Sequence, residues 1–244
     1  MSKSKFYKFD GELEEGVIVA RPNRFVMEIV INGKKEKAHC PVTGKIGHFV
    51  FKDVPCLVSP SDNPKRKTKF TVEAISPQRP SAKRKQWIGI NQGKSNNYVA
   101  FFLENNFFPK MIKGTDEVKR EKNLRKSRID FKVGKTFVEV KTLVNNIPFG
   151  SPGVEQSPVT SVDRLIKHFS DLASYVKKEN GKAIVLLCNQ YKADRFQPPQ
   201  NSQNTKVGRT VKRATLQGVE NWQVNLKFTK KGVYFIEYFK LNLF

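Results

Sequence analysis

The chain contains no apolar run approaching the roughly 18 residues that a membrane-crossing helix needs, so the sequence argues against a span of that kind. Its opening, Met-Ser-Lys-Ser-Lys-Phe-Tyr-Lys, lacks the apolar core of a secretory signal. A basic, serine-containing start also occurs in organelle-import segments, but Asp10, Glu12, Glu14 and Glu15 follow at once. The expected location is the cytoplasm, or an organelle matrix if the source is eukaryotic. Cysteine is scarce. Cys40, Cys56 and Cys188 are too scattered for a disulfide framework, and no pair has zinc-ligand spacing. Each sits among apolar residues and reads as core packing in a reducing interior. His39-Cys40-Pro41 places one histidine beside one cysteine, which builds no metal site without distant partners. Internal repeats and low-complexity tracts are also missing.

Acidic residues are the other shortage. Asp and Glu number 22 against 45 Lys and Arg, a formal net charge of +23 on 244 residues. An imbalance of this size points to a polyanionic partner, of which nucleic acid is the commonest. Basic runs at Lys65-Arg66-Lys67, Lys69 and Lys83-Arg84-Lys85 lie near Phe70 and Trp87. Cations interleaved with aromatics suit a single-stranded ligand, through backbone attraction and base stacking.

Residues 10–78 read as six short strands: 15–20, 25–31, 36–39, 48–51, 56–59 and 70–75. Asn32-Gly33 is a hairpin turn between two of them. That many strands in so short a span suggest a small closed barrel of OB type. The segment 78–85 reads as a linker, which divides the chain into 1–80 and 81–244. In the second part, 97–107 has helical character, 113–126 is charge-dense, and 145–156 is loop-like. Residues 159–178 carry an apolar stripe at helical spacing, with Gly181 as a stop. A buried strand over 183–188, a mobile loop over 190–209, a helix over 211–217 and strands at 222–226 and 233–239 follow. The expected fold class is α+β: an OB-like barrel, then a mixed sheet flanked by helices.

The stretch from Ile129 to Lys141 carries the chemistry. Ile129–Val133 and Thr136–Val140 are rich in β-branched and aromatic residues around Gly134-Lys135, a two-residue turn. That turn pairs Val133 with Thr136 and sets Asp130 opposite Glu139. Lys141 is two residues beyond Glu139, on the same face. Two carboxylates and a lysine beside a buried sheet are costly unless compensated. A hard divalent cation compensates them, magnesium often taking one or two carboxylates plus phosphate oxygens. Arg164, Lys167 and His168 share a helix face that would approach a phosphate.

Seven short motifs recur in a recognisable order: Arg21-Pro-Asn-Arg24-Phe25, His39-Cys40-Pro41-Val-Thr43-Gly44, Ser61-Asp-Asn63-Pro-Lys65-Arg66-Lys67, Gly89-Ile-Asn91 with Asn96, Ser127-Arg128-Ile129-Asp130-Phe131, Val138-Glu139-Val140-Lys141 and Arg164-Leu-Ile-Lys167-His168. In this order and spacing they resemble the sugar fermentation stimulation protein A family over nearly the whole chain. The resemblance implies an N-terminal OB-like domain followed by a domain of the PD-(D/E)xK nuclease type. It implies that Asp130 and Glu139 hold Mg2+ (or Mn2+) and that Lys141 positions or activates the attacking water. Glu117, expected on a preceding helix, would complete the catalytic set, with Glu121 as the alternative. Arg21, Arg24, Lys65, Arg66, Lys67, Arg128, Arg164, Lys167 and His168 become the expected nucleic-acid contacts.

The leading expectation is therefore a nucleic-acid-binding protein with a magnesium-dependent nuclease domain, favouring DNA over RNA and not a membrane partner. A homodimer is among the assemblies the sequence allows. The family pattern departs at Pro158-Val159-Thr160 and at Leu165, where Pro-Asp-Ala and glycine are usual. The competing reading is a non-catalytic binder: a DNA-binding regulator of sugar metabolism, or a structural partner of RNA such as the ribosome.

Overall fold

Strand β1 (Phe6–Lys8) opens the computed structural model but does not join the elements next to it. The structure describes residues 4–61, 63–114, 117–149 and 162–244. Much of the loop expected over 145–156, and the start of the helix expected at 159, lie outside them. After β1 come β2 (Glu14–Asn23), β3 (Val26–Ile31), β4 (Lys34–His39), β5 (Val54–Pro60) and β6 (Phe70–Ile75). The antiparallel order β4-β3-β2-β5-β6 closes through a parallel β4–β6 contact, Ala38 against Phe70 and His39 against Thr71. This is the OB-like barrel. Alternation explains it: on β3, Met27, Ile29 and Ile31 face inward while their neighbours are half-exposed. Each fully buried side chain of this size contributes roughly 1.5–3 kcal/mol.

Residues 48–51 do not form the strand expected there. The Gly47 and His48 N–H groups donate to the Val144 and Phe149 carbonyls of the second half, at 2.9 and 3.1 Å. Phe49 stacks on Phe51 and closes the barrel end. Cys40, Cys56 and Cys188 are buried thiols. Burial pushes Cys56 and Cys188 up to about 12, so they pack and are not nucleophiles.

Beyond the barrel lie β7 (Ile88–Gly89), α1 (Gln92–Glu104), β8 (Val118–Leu124), β9 (Ser127–Val133), β10 (Thr136–Lys141), α2 (Val162–Glu179), β11 (Lys182–Asn189), α3 (Lys206–Leu216), β12 (Glu220–Phe228) and β13 (Gly232–Leu241). They build a seven-stranded mixed sheet, β1-β13-β12-β11-β10-β9-β8, in which β11 runs parallel to both neighbours. On β11 both faces are buried. Ile184 and Leu186 join the cluster under α1, and Ala183 and Val185 join the cluster under α2 and α3. The sheet is thus a layer between α1 and the α2–α3 pair.

The two sheets do not part at residue 80. β7 pairs with β6 of the barrel, and β1 pairs with β13 at the far edge of the second sheet, Phe6 stacking on Tyr234. Gly89 faces Gln190 so closely that a Cβ there would fall 2.2 Å from the amide oxygen. The charge-dense stretch expected over 113–126 includes strand β8. Helix α3 begins at Lys206, ahead of the expected 211, because the Thr205 hydroxyl caps it by accepting the Gly208 N–H at 3.0 Å.

Candidate active site

The β9–β10 hairpin turns at Gly134, whose φ of +54° suits a residue without Cβ. Val133 pairs with Thr136, Lys132 with Phe137 and Phe131 with Val138. The ladder then stops. Asp130 takes over: its Oδ2 accepts the Val140 N–H at 2.7 Å, a donor that a continuing ladder would have bound. Its Oδ1 accepts from the Asn96 amide of α1 at 2.7 Å. Pairing with β8 is also interrupted here, and Glu121, opposite Asp130, has a left-handed φ of +52°. β9 rotates at this point, so Ile129 packs under α2 while Phe131 packs under α1.

Glu139 sits on the α2 side of β10 and is 2 % exposed. Both Lys141 Nζ and His168 Nδ1 lie 2.5 Å from the same oxygen, Oε1. The other oxygen, Oε2, is buried and has no hydrogen-bond partner among the described residues. Burial is the largest single influence on Glu139 and raises its pKa. The His168 hydrogen bond and the Lys141 ammonium outweigh it, so the carboxyl titrates below its ordinary value. Asp130 goes the other way: burial, then the charge of Glu139, hold it above the usual carboxylate range despite the Val140 and Asn96 hydrogen bonds. Among the described residues no group of three or more His, Cys, Asp or Glu is arranged to hold a metal. The site offers two carboxylates, and one of them carries an unsatisfied oxygen.

His168 is not a surface residue of α2. It is 4 % exposed and points inward at Glu139. Its helix-face companions Arg164 and Lys167 remain exposed, with no ion pair or hydrogen bond among the described residues. Glu117 is not on a helix and does not join this group. It precedes β8, is exposed and pairs with Lys119. Val118 beside it pairs with Val133, three residues along β9 from Asp130, or about 10 Å. Glu121 pairs instead with Arg128, so that arginine already has an anion.

The barrel residues divide. Arg21 donates to the Val42 carbonyl at 2.6 Å and to Gly44 at 3.1 Å, pinning the 42–44 loop. Arg66 donates to the hydroxyls of Ser61, Thr68 and Thr71. Both guanidinium groups therefore hold the barrel together. Arg24 lies over the exposed Phe25 ring, 4.7 Å from its centre, and Lys65 and Lys67 are exposed.

Two roles escaped the sequence reading. Asn96 buttresses Asp130, and its only trace was its place after Gly89-Ile-Asn91. Glu73, 1 % exposed on β6, accepts from Ser59 and Lys94 on one oxygen and from Asn91 on the other. It locks the barrel to the start of α1.

A closed OB-like barrel joined to a curled mixed sheet, with a carboxylate–lysine pair at a hairpin end, places this chain among two-domain α+β proteins. Residues 19–90 match the family model described as the SfsA N-terminal OB domain, and residues 93–232 match the sugar fermentation stimulation protein RE domain. The chain belongs to the sugar fermentation stimulation protein A family. It is 30 % identical to the sugar fermentation stimulation protein homolog of Microcystis aeruginosa, covering 95 % of each chain. The homolog from Alcanivorax borkumensis is also 30 % identical, over 87 % of this chain and 90 % of that one. The solved structure of Pyrococcus furiosus SfsA in complex with Ca2+ superposes with a TM-score of 0.73 at 18 % identity, covering 98 % of this chain and 99 % of that one.

No helix among the described residues is long and apolar enough to cross a membrane.

Proposed function

We propose that this protein binds nucleic acid and that its second half hydrolyses phosphodiester bonds with a divalent metal ion. The observation that carries the reading is Glu139 Oε2, a buried carboxylate oxygen without a partner among the described residues, near the half-buried Asp130 carboxylate. An unsatisfied buried acceptor costs about 1–3 kcal/mol, more when charged. A hard cation would relieve it. Asp130 and Glu139 would hold Mg2+ or Mn2+, and a set of one or two carboxylates that leaves room for phosphate oxygens suits such ions. The relative from Pyrococcus furiosus was solved with Ca2+, another hard oxygen-seeking cation.

When bound, such an ion supplies Lewis acidity at the phosphoryl group and lowers the pKa of water. The chain's own residues do the rest. His168 and Lys141 saturate Oε1, which leaves the buried Oε2 as the oxygen free for a cation. Asn96 and the Val140 N–H fix the Asp130 carboxylate with one donor on each oxygen. Lys141, whose side chain is 22 % exposed against 3 % for Glu139, reaches the solvent side and offsets charge that builds on the phosphate. The +23 net charge supports the polyanionic substrate.

The test is cleavage of labelled single- and double-stranded DNA and RNA with Mg2+ or Mn2+, comparing wild type with Glu139→Ala and Lys141→Ala. The expected result is cleavage that both substitutions reduce by at least about 100-fold, with binding retained. Tight binding without cleavage of any substrate would remove the catalytic half of the proposal.

A further inference from the structure

Helices α2 and α3 lie side by side and run in the same direction. At their starts, Lys206 Nζ of α3 is 3.9 Å from Asp163 of α2. At their ends, a Cβ on Gly218 would touch Val176. Between these points Val211 and Ala214 share one apolar cluster with Leu165, Phe169 and Leu172. The first turns of both helices therefore lie together, at the end where His168 meets Glu139.

That shared end is strongly cationic. Arg164, one turn before His168 and on its side of α2, is exposed, as is Lys167. From α3 come Lys206 and Arg209 at this end and Arg213 in the last turn, all exposed, and α3 contains no acidic residue. Asp163 is the one acid in the first turn of α2, and its ion pair with Lys206 is long and solvent-exposed. Arg209 donates to the Asn204 carbonyl, while Arg164, Lys167 and Arg213 have no partner among the described residues. The barrel arginines Arg21 and Arg66 are instead tied to carbonyls and hydroxyls. Among the described residues, Arg164 and Lys167 thus remain unpaired on the helix that carries His168 to Glu139.

We infer that the paired exposed faces of α2 and α3, with Arg164 and Lys167 on α2 and Lys206, Arg209 and Arg213 running along α3, form the track that grips the phosphate backbone of a double-stranded nucleic acid and delivers it to Asp130 and Glu139. This rests on the function proposed above and gives its substrate class. Charge complementarity carries the assignment. A duplex fits because the track is built of cations, and the exposed Phe244 ring near it has the Lys212 ammonium over one face. A single strand is gripped by exposed rings as much as by charge.

The test is fluorescence anisotropy of a labelled short duplex and of its single strand, titrated with salt from about 50 to 200 mM in EDTA. Two variants of the full chain lose equal charge: Lys206→Gln/Arg209→Gln/Arg213→Gln on α3, and Lys34→Gln/Lys35→Gln/Lys37→Gln on the barrel strand β4. The α3 variant is expected to bind the duplex at least about tenfold more weakly, with the slope of log affinity against log salt shallower by about 2–3. The β4 variant is expected to keep the wild-type slope, and wild type to prefer duplex over single strand. Equal flattening in both variants, an unchanged slope in the α3 variant, or a preference for the single strand would overturn the track. No metal is present, so failure of the catalytic reading leaves this outcome intact. An α3 variant that cleaves and binds like wild type would sink the track alone.

Discussion

Glu73 in the barrel and Glu139 in the second sheet are both almost fully buried, at 1 % and 2 % exposure. Their surroundings differ. Glu73 has a donor on each oxygen: Ser59 and Lys94 on Oε1, Asn91 on Oε2. Glu139 has two donors on Oε1 and, among the described residues, none on Oε2. A buried carboxylate that is satisfied on both sides is a joint, here between barrel and α1. One that is crowded on one oxygen and bare on the other is poised for something outside the chain. Burial alone separates neither from the other. Only the count of partners around each oxygen does.

Breaking each in turn sharpens the contrast. Glu139→Gln keeps the shape and removes the charge. Cleavage should fall by about 100- to 1000-fold, while urea denaturation shows stability within about 1 kcal/mol of wild type. Glu73→Gln should do the reverse. Its amide would face the Asn91 amide donor to donor and leave Lys94 without a counter-charge, costing about 2–3 kcal/mol of stability. Cleavage per folded molecule should stay near wild type. If both substitutions cost stability alone, Glu139 is a second joint and the proposed function loses its main support.

A smaller effect is expected from metal itself. Mn2+ at about ten times its dissociation constant should stabilise the wild type by roughly 1.4 kcal/mol, seen as a rise in melting temperature. Glu139→Gln should lose that rise and Glu73→Gln should keep it. A rise preserved in Glu139→Gln would place the metal elsewhere.

The smallest effect concerns pH. Asp130 titrates above its ordinary value in the fold, burial being the main cause and Glu139 the second. A raised acid favours the fold in its protonated form, so its contribution is most favourable below the ordinary 3.8 and is lost as pH rises through the folded value. Asp130→Asn should therefore stabilise the metal-free protein more at pH 7 than near pH 4. Glu139, held below its ordinary value, works in the opposite sense: its contribution is present above 4.5 and lost as pH falls through the folded value. Denaturation midpoints of the Asp130→Asn variant across that range check the sign. An advantage that grows toward acid would contradict the raised value.

The arginines show the same lesson at lower burial. Arg21 and Arg66 stand in motifs with other cations, and charge patterning gave no reason to separate them from Arg24 or Lys65. The barrel fold does, by turning both toward carbonyls and hydroxyls of neighbouring loops. Arg164 and Lys167, from a motif that looked alike, are exposed near His168 and have no ion pair or hydrogen bond among the described residues.

Local chemistry determined a good deal of this protein. The Gly134-Lys135 turn, the β-branched flanks and the period of two define the hairpin and pair Val133 with Thr136. The apolar stripe of α2 and the two-sided burial of β11 follow from periodicity, because near-neighbour spacing decides which face a side chain takes. The net positive charge is a sum that no fold can change. Tertiary structure decided the rest. His168 meets Glu139 across 29 residues and Asn96 meets Asp130 across 34. Glu117 is carried away from the site by the β8–β9 register, and β1 crosses to the edge of the second sheet. These pairings depend on which elements pack together. No spacing along the chain encodes them, because each is made by burying apolar faces that bring distant residues to one place.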